Sequence, residues 1–110
     1  MKSSRRPGDG WDCERDFHPE ADGEFQEAID YYQTESPALG VRFYQAAMLT
    51  VTRIETHPKV WPRLRGQVRK CLVPGFPFKL LYTIEPERLH VVAVMHGKRK
   101  PGYWAGRLAT

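Results

Sequence analysis

Three dipeptides punctuate the first half of the chain: His18-Pro19, Ser36-Pro37 and His57-Pro58. Proline lacks a backbone N–H and clashes with the preceding turn, so it opens a helix or ends one. The residue before it is pushed out of the helical region. Two segments with fixed ends result. In the first, Ala21, Phe25, Ala28, Ile29 and Tyr32 recur at helical spacing, with Glu20, Asp22 and Glu24 where the helix dipole favours negative charge. In the second, Ser36 serves as N-cap and Leu39, Phe43, Ala47, Val51 and Ile54 form the stripe. Two amphipathic helices with a short joint make an αα-hairpin, whose apolar faces need a partner layer.

The remaining sequence supplies that layer. Trp11, Cys13, Arg15 and Phe17 alternate with acidic residues, which fits a short strand before the hairpin. After it, "QVRKCLV" alternates weakly, and "FPFKLLYTI" places Phe76, Phe78, Leu80, Tyr82 and Ile84 on one face and Lys79 on the other. Pro77 places the start of that strand near Phe78, or itself lies at a bulge or an unpaired edge position. "LHVVAVMH" is the most apolar strand, with His96 in phase with Val92 and Val94. Short connections imply antiparallel pairing. The expected fold is α+β: an N-terminal strand, a two-helix hairpin on an antiparallel sheet of about four strands, and a short C-terminal helix. Residues 1–10 read as a flexible tail and 11–110 as a single domain.

Charge is unevenly distributed. The net charge of +4 is mild, but residues 11–35 hold nine acids against Arg15 alone. From Lys59 onward eleven cations face only Glu85 and Glu87. That dipolar layout suits a polyanion or an acidic partner. Cys13 and Cys71 form no CxxC, so reduced thiols and a cytoplasmic location are expected, and no apolar run or leader points to a membrane. His18, His57, His90 and His96 lack metal-ligand spacing, so no metal or other cofactor is expected. Glu24 and Glu27 read as a solvated helix face.

The closing stretch "HGKRKPGYWAGR" gathers His96, Lys98, Arg99, Lys100, Tyr103 and Arg107 directly after the most apolar strand. With Lys79, these form a set without a carboxylate. Cations neutralise a phosphate, a histidine or tyrosine moves protons, and aromatics stack bases.

"FHPEADGEFQEAIDYY", "PALGVRF", "HPKVWP", "VRKCLVPGFPFKLLY" and "VVAVMHGKRKPGYW", in this order, resemble the ParE/RelE superfamily of type II toxin-antitoxin toxins, often labelled plasmid stabilization proteins. The resemblance spans roughly residues 11 to 107. It implies a toxin silenced by a cognate antitoxin, whose acidic C-terminal segment wraps it and whose other half meets operator DNA. RelE-like members are ribosome-dependent mRNA endonucleases that use the ribose 2′-OH without metal. ParE-like members poison DNA gyrase and carry no catalytic set. On the RelE pattern Lys79 and Arg99 take the phosphate-binding positions, with His96 or Tyr103 in proton transfer. Arg63, Arg65, Arg69, Lys98, Lys100 and Arg107 would then bind substrate. These matches favour the endoribonuclease, with gyrase inhibition as the alternative. Lys79 departs from the pattern's arginine, keeping charge without the bidentate fork.

Overall fold

The computed structural model describes residues 14–85, 88–100 and 102–109. The expected tail, and Trp11 and Cys13 of the expected first strand, lie outside these residues. The described part of that strand is β1, Glu14–Phe17.

Both helices begin where the prolines place them. α1 runs Pro19–Glu35 and α2 runs Pro37–Thr56. The His18 Nδ1 caps α1 by accepting from the Glu20 N–H at 3.1 Å. Ser36 is the whole joint: its N–H donates to the Tyr32 carbonyl at 3.0 Å, and its carbonyl accepts from Leu39 and Gly40 at 3.0 and 3.2 Å. The cap at α2 is thus made by the Ser36 backbone, not its hydroxyl. So abrupt a joint presses the helices together, and a Cβ on Gly40 would lie 2.9 Å from the Gln33 Cβ. Gly40→Ala is therefore expected to destabilise the protein by about 1–3 kcal/mol through overpacking. A denaturant midpoint within error of the parent would show that the hairpin can spread.

The sheet has five strands in the order β1-β5-β4-β3-β2, where β2 is Arg63–Arg65, β3 Val68–Leu72, β4 Phe78–Glu85 and β5 Arg88–His96. The last four pair antiparallel through short connections, whereas β1 lies parallel to β5. The sheet is therefore mixed. Antiparallel pairing follows from short loops, and β1 is separated from β5 by the hairpin and three strands, so no loop dictates its direction. Arg63–Arg65 adds a three-residue strand whose side chains are exposed, which leaves no alternation to read in the sequence.

Helix stripes and the inner sheet face share one core, in which Phe25, Phe43, Ile54, Leu80, Tyr82, Val91 and Val94 are buried. Between Leu81↔Ala93 and Tyr82↔Val91 the β4–β5 register slips, leaving Val92 opposite no residue. This bulge changes the phase of β5. Val94 stays with the inner core while Val92 turns to the outer face, so His96 is in phase with Val94 but not with Val92. On the outer face Val68, Leu81, Val92, Ala93 and Met95 form a second core closed by Trp104. The C-terminal element that brings Trp104 there is a turn followed by a 3-10 helix, Ala105–Ala109.

Candidate functional site

β1 reaches only Arg88–Val91 along β5. Beyond that point the edge of β5 is completed by side chains. The Val94 N–H donates to Glu24 Oε1 at 3.0 Å, and the Val92 carbonyl accepts from Arg107 Nη1 at 3.0 Å. Arg107 also forks onto Glu24, at 3.1 and 2.8 Å, and reaches Glu20 at 3.3 Å. The two side chains are 9% and 13% exposed, so α1, β5 and the terminal 3-10 helix are tied by a largely desolvated ion pair. Burial pushes the Glu24 carboxyl up, but the hydrogen bonds from Arg107 and Val94, with the Arg107 charge and the nearby Tyr103 hydroxyl, outweigh it and hold its pKa below the ordinary carboxylate value. Glu24 thus departs from the solvated face expected of it. Its place on α1 carried the signal: Ala21, Glu24 and Ala28 lie at i, i+3 and i+7, on the buried stripe.

Beside this pair α1 and the end of β5 enclose a cleft of about 310 Å³. Its floor includes Ala28, Phe78 and Val94, and its walls Glu24, Glu27, Tyr31, Tyr32, His96 and Arg99. The His96 Nδ1 accepts from the Lys98 N–H at 3.0 Å, which leaves Nε2 as its other polar atom, and its ring stands edge-on to Phe78. Arg99 places its guanidinium 3.9 Å above the Tyr103 ring, and Arg107 lies 5.0 Å from it. The Tyr103 hydroxyl is buried beside Glu24 without a well-formed hydrogen bond. Burial first, and the Glu24 carboxylate second, push its pKa far above the usual phenol value. A phenol so held stays protonated and is a poor base.

The model of the family "ParE toxin of type II toxin-antitoxin system, parDE" matches residues 16–101. The chain belongs to the ParE toxin family. Among solved structures, one described as the chromosomal ParDE TA system from P. aeruginosa superposes with a TM-score of 0.61. At 13% identity, over 76% of this chain and 95% of that one, the likeness is one of fold. No curated protein matches. Within this ParE-family chain the matched range holds Glu24, His96 and Arg99, whereas Tyr103, Trp104 and Arg107 lie beyond it.

The other candidate residues are dispersed. Lys79 pairs with Met95 and Leu72 on the outer sheet face, while His96 pairs with Phe78 on the inner one. Those two candidates therefore stand on opposite sides of the same strand pair. Arg65 lies 5.7 Å over Trp104, again on the outer face. Arg69 donates to the carbonyls of Trp61 and Lys59 at 2.7 and 3.2 Å, stapling the loop after α2. Arg63, Lys98 and Lys100 are exposed. His96, Arg99 and Tyr103 do come together, but in the company of Glu24 and Glu27, so the set is not free of carboxylates as the sequence suggested. Among the described residues no cluster of His, Cys, Asp and Glu is arranged to hold a metal, and no helix is long and apolar enough to cross a membrane.

Proposed function

We propose that the chain arrests growth by binding a target protein, DNA gyrase, and not by cleaving RNA. The observation that carries this reading is the separation of Lys79 from His96 by the thickness of the sheet. Metal-free cleavage needs the phosphate-binding cations and the proton-transfer groups around one phosphate. Here Arg107 is committed to Glu24, and the Tyr103 phenol is buried and held protonated. A protein-binding toxin needs no such convergence. Its antitoxin would act by covering the surface that meets the target, and the exposed cations Lys98, Arg99 and Lys100 suit an acidic segment.

Tyr103→Phe separates the two mechanisms, because it removes only a buried hydroxyl and keeps the ring under Arg99. Expressed without antitoxin, this variant is expected to arrest growth as the parent does, with messages intact by primer extension and gyrase–DNA cleavage complexes trapped. A positioned proton-transfer group contributes about 100-fold or more to a rate. Message cleavage by the parent, lost by that factor in Tyr103→Phe, would return the assignment to the nuclease.

A further inference from the structure

Part of the outer sheet face is not sealed by the terminal segment. Leu72 on β3 is 64% exposed, flanked by Lys70 on its own strand and by Lys79, its partner on β4, and Arg65 stands on the same face opposite Val68, farther along β3. Their facing is fixed by their neighbours. Lys70 pairs with Leu81 and Lys79 with Met95, both in the outer core, and Arg65 lies over Trp104. Lys70 and Lys79 occupy diagonal positions on adjacent strands, about 7–8 Å apart at the backbone. From Thr56 to Ile84 the chain has no Asp or Glu. The next acid on this face of β4, Glu85, is six residues along from Lys79, about 20 Å at strand rise, and is paired with Arg88. Among the described residues, Arg65, Lys70 and Lys79 make no ion pair. Three like charges are held on a rigid sheet with no internal counter-charge, an arrangement that destabilises the free protein slightly and favours a polyanion.

The aromatic side chains narrow the class of polyanion. Single strands are bound by bases stacked on exposed rings. On this face Trp104 is 2% exposed and Tyr103 is half-buried beneath two guanidinium groups, so among the described residues it offers no stacking platform. What the face offers is point charges at fixed spacing, which suits the regular phosphate rows of a duplex. We propose that Arg65, Lys70 and Lys79 form a sequence-independent docking face for the phosphate backbone of double-stranded DNA. The contact is the toxin's own, made without an antitoxin, and it does not depend on which protein the toxin poisons.

The test is titration of the purified full chain against a short fluorescein-labelled duplex of mixed sequence, over a range of salt. Three phosphate contacts predict a log–log salt slope near −2.7, or about 40-fold weaker binding when salt rises fourfold. Lys70→Gln with Lys79→Gln, both partly exposed side chains, should flatten the slope by about two with the circular dichroism spectrum unchanged. Absence of salt-dependent binding by the parent, or an unchanged slope in the double variant, overturns the proposal. Tighter binding to single-stranded RNA of equal length, or to polyglutamate, also overturns it, the latter by assigning the face to an acidic protein segment.

Discussion

Arg107→Ala should lower the melting temperature by about 15 °C, corresponding to about 3 kcal/mol. The loss is large because three things fail together. Glu24, 13% exposed, keeps its burial but loses the two guanidinium bonds that offset it. The Val92 carbonyl loses its donor at the edge of β5, and the terminal 3-10 helix loses its tie to α1. The pH dependence carries the signature. In the parent the folded pKa of Glu24 is depressed below its ordinary 4.5, so its contribution is full above that value and is lost as pH falls through the folded pKa. In the variant, burial dominates and raises the folded pKa, so stability conferred by Glu24 grows as pH falls. The gap between parent and variant should therefore narrow on acidification, as measured by urea midpoints from neutral pH down to the carboxylate range. The Glu24→Ala, Arg107→Ala double variant should lose less than the sum of the singles, by about 2 kcal/mol. A constant gap with additive losses would show the pair to be solvent-screened.

This pair also marks where sequence reasoning stops. The hairpin was legible because Pro19, Pro37 and Pro58 fix the helix ends locally, and the stripes between them keep helical spacing. The start of β4 at Phe78 was legible for the same reason, through Pro77. What resisted reading depends on partners far away in the chain. The direction of β1 is set by its docking on β5, and the bulge at Val92 by pairing across β4. The pairing of Glu24 with Arg107 spans 83 residues. Such contacts leave no local period. At the candidate site the sequence brought forward His96, Arg99 and Tyr103, which do gather near the cleft, but gave Arg107 to a ligand when it is occupied within the fold. The resemblance to the RelE pattern groups Lys79 with the terminal cations and His96; strand phase puts Lys79 opposite Phe78, but the pairing across two strands that sets His96 on the Phe78 face leaves no local signal.

Trp104→Ala should cost about 4 kcal/mol, near the upper range for a buried aromatic in a chain of this size. Trp104 is 2% exposed and is the largest buried side chain among the described residues, but its neighbours Val68, Leu81, Val92, Ala93 and Met95 all belong to the sheet. They pack on the strands that carry them, and among the described residues what lies over them comes from the terminal segment, with Trp104 its buried residue. Gly102, at φ 80°, lets the chain turn so that Trp104 reaches that face, and a Cβ there would lie 3.0 Å from the Arg65 guanidinium. Truncating the indole therefore opens the outer core to solvent, while the helix-side core around Phe43 keeps its packing. Two layers with separate cores should respond separately. Amide exchange should accelerate first in residues 102–109 and at Val92 and Met95, with α1 and α2 protected until global unfolding. Trp104→Phe should recover part of the loss by refilling the site with a smaller ring. Uniform acceleration across the helices as well would mean that the two cores are one cooperative unit, joined through the Glu24–Arg107 tie.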